Sequence, residues 1–341
     1  MTLKKKYIFF IGLALALIFS VSVYSKIYGD NVEKSGDLFI YTNDSLEQVI
    51  EKLSPYLKNP SSFEWVAGLK KYKSPKSGKY HIEEGKSNND LINKLRIGSQ
   101  TPVKVSFNNQ DTIEKLAGRI ANQIEADSLS LLEAFIDPSF LEKNNLNRAS
   151  ALQIFIPNTY EYYWNTSAIK FRDRMLENYK KFWTSNRLAK AEALKMSASE
   201  VITLASIVQK ETTKREERPI VAGLYLNRLK RGWALQADPT IVYALKQQKG
   251  QDYSVYRVLR TDLDINSPYN TYKNRGLPPT LIGMPDISSI DAVLNPKKHN
   301  YMYMCASVDN FGYHEFAKSL AQHNRNAARY QRWLSRQRIF R

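Results

Sequence analysis

Three lysines followed by an unbroken apolar run constrain this chain more than any other feature. Lys4, Lys5 and Lys6 precede Tyr7–Ser25, a stretch with no charged residue. Its length matches that of a helix crossing a bilayer. Basic residues before the run and a long polar chain after it predict that the N-terminus stays in the cytoplasm. On this reading residues 1–6 are a cytoplasmic tail and 7–25 a single-pass anchor in the cytoplasmic membrane. Everything after Lys26 then lies outside, on the periplasmic or cell-wall side. A cleaved signal peptide is the rival, with Val23 and Ser25 as its small residues. No clean Ala-x-Ala pattern is present, which favours the retained anchor. Both readings export the bulk of the chain. A nucleic-acid partner is therefore disfavoured despite a formal net charge of +17, which suits anionic lipid or an acidic polymer.

The remaining chain has the length of about two domains, and 43% hydrophobic residues are enough for real cores. The single cysteine, Cys305, excludes an intrachain disulfide, and its apolar neighbours predict a buried, inert thiol. The elements predict an α+β fold. Residues 30–36 read as a short polar linker. Leu38–Tyr41 and Tyr80–Ile82 read as strands, with a helix capped by Asp44 or Ser45 between them and another after Ser87. This gives a small module over 30–100. A larger mixed domain over 101–341 follows, opening with a strand at Val103–Phe107 and a helix capped by Asp111.

The most informative segment begins at Ser197. Ser197 and Glu200 have the spacing of a capping box at a helix start. Leu204, Ile207, Val208 and Glu211 then lie three and four apart, so they share one face. Glu211 extends an apolar face near the helix C-terminus. Burial and the negative end of the helix dipole both disfavour its carboxylate. A carboxyl kept protonated near neutral pH is what a general acid needs. Spacing alone equally allows a solvated glutamate in the charged run 210–218. In the next helix Pro219 suits the first turn and Gly232 the stop. Glu217, Val221, Leu224 and Arg228 fall along one face, so Glu217 and Arg228 form an ion pair across its turns or frame a ligand. Asp238 before Pro239 reads as a helix cap. Loops rich in Tyr, Asn and Thr follow, at 267–272 and 276–279. Aromatic faces and amides of this kind suit sugars, and also ordinary interfaces.

These residues carry a family resemblance. Ala205-Ser206-Ile207-Val208-Gln209-Lys210-Glu211-Thr212 resembles the catalytic-helix signature of the YceG-like family, the endolytic murein transglycosylases. The similarity continues through Asn227-Arg228-Leu229, Leu235-Gln236-x-Asp238-Pro239-Thr240, Tyr269-Asn270-Thr271-Tyr272 and Gly276-Leu277-Pro278-Pro279. It ends with His314-x-Phe316 and His323-Asn324. Order and spacing fit from Val103 to Tyr330. The family's catalytic glutamate corresponds to Glu211, and Gln209 stands where the family often has a second glutamate. The resemblance implies substrate contacts from Glu217, Asn227, Arg228, Gln236, Asp238, Thr240, Tyr243, Tyr269, Asn270, Thr271 and Tyr272. It also implies that the 30–100 module is LysM-like.

The implied activity is lytic cleavage of peptidoglycan between N-acetylmuramic acid and N-acetylglucosamine. One group, Glu211, serves as acid and then base, leaving a 1,6-anhydro end. No water attacks, so the second carboxylate of ordinary glycosidases is not required. No cofactor or metal is called for. The chain has neither a Gly-rich phosphate loop nor a His-Glu-x-x-His motif. The implied partners are glycan strands, the membrane and proteins of wall synthesis. A two-carboxylate hydrolase using Asp238 or Glu217, and a non-enzymatic wall-binding scaffold, are the alternatives. The topology has a direct test: a reporter fused after Arg341 is expected to be active only when its function requires export. Activity of a cytoplasm-dependent reporter at that position contradicts the orientation.

Overall fold

A computed structural model describes residues 3–337. Met1 and Thr2 of the expected cytoplasmic tail, and residues 338–341, lie outside the described residues. The protein is α+β. In chain order the elements are α1 (Leu3–Tyr28), β1 (Gly36–Ile40), α2 (Leu46–Leu53), α3 (Pro60–Leu69), β2 (Gly78–Ile82), α4 (Asn88–Ile97), β3 (Val103–Phe107), α5 (Ile113–Ala121), α6 (Ser128–Phe135) and α7 (Pro138–Lys143). They continue as β4 (Asn158–Tyr162), α8 (Ala168–Phe182), α9 (Ser185–Ala193), α10 (Ala198–Glu211), α11 (Arg218–Lys230), α12 (Asp238–Lys249), α13 (Ile287–Leu294), β5 (Tyr303–Ala306), β6 (His314–Ala317) and α14 (Leu320–Arg336). The strands pair as β1–β2, β3–β4 and β5–β6. The chain divides into two compact units. One comprises Met1–Val105, Ile120–Asp127 and Thr159–Ser167, and the other Ser106–Arg119, Ser128–Asn158 and Ala168–Arg341.

The first unit begins with α1, which is apolar on all sides and long enough to cross a membrane over Lys5–Tyr28. Its residues from Tyr7 to Ser22, and Tyr24, are exposed, and Val23 is half-buried. Beyond it, β1 and β2 pair antiparallel, with Leu38 opposite Tyr80 and Ile40 opposite Gly78. Leu38, Ile40, Tyr80 and Ile82 form the sheet's inner face and pack with Val49, Leu53, Phe63, Val66, Leu91 and Leu95 from the helices. The caps explain why the helices start where they do. Ser45 begins α2 and Ser87 begins α4, each with a reciprocal capping box. The expected polar linker at 30–36 is not one. Asp30 bridges to Ser87, Val32 bridges to Leu57, and Val32 is fully buried. Asn31 is buried and bonds Asn59 and Asn88, whereas Asp30, Glu33, Lys34 and Ser35 stay exposed.

The second unit is organised around α10. Ser197 caps it through the expected box with Glu200. Every residue from Val201 to Val208 is buried, because α11, α12 and α13 surround it. Sequence spacing predicted a single apolar stripe; a central helix instead buries its small polar residues too, with Ser206 donating to the Thr203 carbonyl at 2.7 Å. Four other expectations change. Asp111 does not cap α5. Thr112 Oγ1 accepts from the Lys115 amide there, and Asp111 forms an ion pair with Lys210. Asp238 is not a cap either: Ala237 holds the cap position of α12, without a side-chain bond. Glu217 and Arg228 do not pair with each other. Cys305 lies in β5 and is half-buried rather than fully enclosed, though burial still pushes its thiol pKa up.

Candidate active site

Glu211 is the last residue of α10, and the chain turns sharply out of the helix at Thr212. The side chain opens on a cleft of about 440 Å³ within the second unit. Asp111, Lys210, Asp238, Tyr243 and Lys246 line the same cleft, with residues of the 251–258 loop. Protein encloses the rest of the Glu211 carboxyl. Burial pushes its pKa up to about 7, and the Asp238 carboxyl pushes in the same direction. Opposing them, in decreasing order, are the Tyr225 hydroxyl, His314 and Arg228.

Tyr225 donates its phenol proton to Glu211 Oε1 at 2.5 Å and is almost fully buried. Sequence reading missed it, since a tyrosine between two leucines on α11 looks like core. The signal was present all the same. Tyr225 is four residues after Val221 and three before Arg228, on the face already suspected of framing a ligand.

Glu217 stands at the N-cap of α11, where it makes no side-chain cap bond. It reaches β6 instead: the His314 amide donates to Oε1 at 2.7 Å, and His314 Nδ1 lies 2.9 Å from Oε2. Burial alone would raise the Glu217 pKa, but His314 and the Thr212 hydroxyl hold it below the ordinary value. Burial pulls His314 down, yet the Glu217 partnership leaves it raised. The pair brings cationic character next to Glu211. Arg228, also buried, is committed to carbonyls: Nε donates to Met302 at 2.8 Å, and the guanidinium also bonds the Leu235 carbonyl.

The remaining predicted residues separate into two groups. Asp238 and Tyr243 line the cleft. Tyr272 donates to Asp238 Oδ1 at 2.5 Å, and the Tyr243 ring lies 4.6 Å from that of Tyr269. Gln236 is exposed beside Asp238 and has φ of +51°, a left-handed conformation that a non-glycine residue adopts at a cost. Buried neighbours Leu235 and Ala237 hold it there. Four others have their polar groups hydrogen-bonded inside the protein. The Asn270 amide donates to the Leu263 and Ile265 carbonyls, and its oxygen accepts from the Tyr272 amide. Thr271 and Thr240 share a hydroxyl–hydroxyl bond of 2.8 Å, and Thr271 also accepts from the Ala237 amide. Asn227 donates to the His299 and Tyr301 carbonyls. These residues hold the loops that present Gln236, Asp238 and Tyr272. Gln209 faces away from the cleft, with its carboxamide 2.6 Å from Ser289 Oγ and beside Asp286.

With this geometry in place, comparison with known proteins is decisive. The family model described as the YceG-like family matches residues 38–329. The chain belongs to the YceG-like family. The matched range begins at Leu38 in β1, so it takes in the first unit as well as the second. A relative from Bacillus subtilis named endolytic murein transglycosylase is 27% identical over 90% of this chain and 89% of its own length. A relative of the same name from Streptococcus pneumoniae is 28% identical over 80% of this chain, which spans 54% of that longer protein. The crystal structure of a yceG-like protein from Listeria monocytogenes superposes with a TM-score of 0.58 at 26% identity, covering 86% of this chain and 98% of that one.

The raised carboxyl of this YceG-like protein has a consequence for stability. Glu211 binds its proton up to about pH 7 when folded, whereas its ordinary value is 4.5. Below the lower value both states are protonated and burial costs nothing extra. Between the two values the unfolded chain releases a proton that the folded one keeps, so stability falls as pH rises. Glu211→Gln removes this loss. The variant is expected to match the wild type near pH 4 and to exceed it near pH 8 by up to about 3 kcal/mol, read by denaturant unfolding. An equal gain at both pH values contradicts a raised carboxyl.

Proposed function

We propose that this chain is a membrane-anchored endolytic transglycosylase that cleaves peptidoglycan between N-acetylmuramic acid and N-acetylglucosamine. The observation that carries the reading is one carboxyl, Glu211, held protonated near neutral pH at the wall of an open cleft. Because Tyr225 occupies Oε1, the proton belongs on Oε2. Oε2 gives it to the glycosidic oxygen as the bond to the anomeric carbon breaks. The resulting carboxylate is stabilised by the Tyr225 hydroxyl and by the charge on His314. It then takes the proton of the muramic 6-hydroxyl as that oxygen closes on the anomeric carbon. The proton balance is zero, Glu211 is restored, and the product carries a 1,6-anhydro end.

Asp238 is the residue that a hydrolytic reading would recruit as partner, since it shares the cleft and influences Glu211. Its link to Tyr272 supports a positioning role instead. Tyr243, Gln236 and Tyr272 offer ring faces and hydrogen bonds to sugar hydroxyls. Glu211→Gln is expected to lower turnover by about two to four orders of magnitude, the usual contribution of a general acid and base. Asp238→Asn should cost less. Mass spectrometry of wild-type products should show muramic ends lighter by one water than hydrolysed ends. Reducing ends from the wild type contradict transglycosylation and point to a two-carboxylate hydrolase, and full activity of Glu211→Gln contradicts the site.

The N-terminus is read as cytoplasmic, α1 as the membrane span and the second unit as acting outside. Residues 30–100 are read as a LysM-like module that retains glycan. What supports this is the order strand, helix, helix, strand with antiparallel pairing, and a groove of about 390 Å³ lined by His81, Glu83, Asp90, Asn93 and Lys94. Deleting residues 38–100 while keeping the anchor should weaken binding to isolated sacculi more than it slows cutting of saturating soluble glycan. Unchanged sacculus binding contradicts the glycan role.

A further inference from the structure

α1 does not end in a tether. Ile27, in its last turn, packs against the core of the first unit. The Lys26 carbonyl accepts from Asn88 Nδ2 at 2.9 Å, and Asn88 is fully buried. The Gly29 amide donates to the Ser25 carbonyl at 2.8 Å, in a fold where a Cβ would stand 2.5 Å from that oxygen. Only glycine closes the helix so tightly. The chain enters the module at once. The amides of Asn31 and Val32 donate to the Lys86 carbonyl, and the Asn31 side chain bonds both Asn59 and Asn88. No slack residue stands between anchor and module.

This junction fixes a height. The span Lys5–Tyr28 has 24 residues. At about 1.5 Å per residue it is about 36 Å long, against a hydrocarbon core of about 30 Å. The last turn therefore stands in the headgroup layer, and its composition suits that position. Tyr24 and Tyr28 are exposed, with rings 5.0 Å apart, and Lys26 lies between them in sequence. Aromatic and basic side chains are enriched there because each has an apolar body and a polar tip.

Beside this turn, α3 presents Trp65 (42% exposed) and Leu69 (57% exposed), one helical turn apart and so on one face. The Lys26 ammonium lies 5.4 Å from the centre of the Trp65 ring. Exposed Lys71 follows at the end of α3. Scattered apolar residues on a surface need no explanation. This pair differs because Trp65 lies against Lys26, in the last turn of a helix that is exposed from Tyr7 to Ser22. We propose that the Trp65–Leu69 face of α3 is seated in the headgroup layer of the membrane that α1 crosses. The module then stands on the bilayer as a rigid foot. The proposal rests on reading α1 as a membrane span.

The test uses the full chain with Cys305→Ser and single cysteines at Trp65, Leu69, Glu47 or Leu15, each carrying an environment-sensitive fluorophore. The proteins are reconstituted in vesicles of phosphatidylethanolamine and phosphatidylglycerol containing lipids with a nitroxide at the headgroup or deep in the acyl chain. Labels at 65 and 69 are expected to be quenched several-fold more by the headgroup nitroxide than the label at exposed Glu47. The label at Leu15 should respond to the deep nitroxide. Equal quenching at 47, 65 and 69 with a deep label at 15 overturns the foot while leaving the anchor intact. A label at 15 that escapes the deep nitroxide overturns both. The Leu69 label leaves Trp65 and its contact with Lys26 in place, so a local disturbance at 65 cannot decide the result.

Discussion

The second unit depends on keeping one carboxyl group inside protein. Glu211 ends a helix that is buried from Val201 to Val208, and its own side chain is half-buried at the wall of the cleft. Enclosure disfavours the charged form and keeps a proton on the carboxyl up to about pH 7, as the proposed chemistry requires. The same enclosure would make the carboxylate left after proton transfer costly. The surrounding groups answer that second demand: the Tyr225 hydroxyl at 2.5 Å, the His314–Glu217 pair and the Arg228 guanidinium. Burial outweighs them in the resting protein, which holds the group close to its working range rather than fully protonated or fully ionised.

The balance explains why so many polar residues near the cleft do not face it. A buried ion pair is an expensive way to gain stability, because desolvation of both partners offsets their attraction. His314 and Glu217 instead fix where charge sits relative to Glu211. Arg228 ties α11 to the chain at Leu235 and Met302 while its charge remains within reach of Glu211. Asn270 and Thr271 lock the loop that carries Tyr272, and Thr271 with Thr240 locks the start of α12 that carries Asp238. The internal hydrogen bonds of these residues make the loop surface beside the cleft rigid, as the proposed sugar contacts require.

Much of this was legible in residues. The apolar run of α1, the helix start after Ser87, the capping box at Ser197, and the position of Glu211 at the end of an apolar face follow from local rules, and local rules act within a few residues. What was not legible depended on contacts across the sequence. Glu217 and Arg228 are correctly spaced for a pair on one helix, but a stronger partner for Glu217 arrives from β6, far along the chain. Asp111 and Asp238 look like caps, yet Lys210 and Tyr272 claim their carboxyl groups. Tyr225 was hidden because leucines flank it, although its spacing from Val221 and Arg228 places it on the face already suspected of framing a ligand. Residues 30–36 read as a linker because most of their side chains do face solvent; the backbone of Asn31 and Val32 bonds Lys86, and the Asn31 side chain bonds Asn59 and Asn88.

Glu211, poised by burial, is proposed as the one acid and base of the site. Its carboxyl can be followed directly by carbon-13 NMR, comparing wild type with Glu211→Gln to assign the signal across a pH series. A midpoint near 7 is expected, shifted upward in Tyr225→Phe because a hydrogen bond to the carboxylate is lost. A midpoint near the ordinary 4.5, unmoved by Tyr225→Phe, would contradict it.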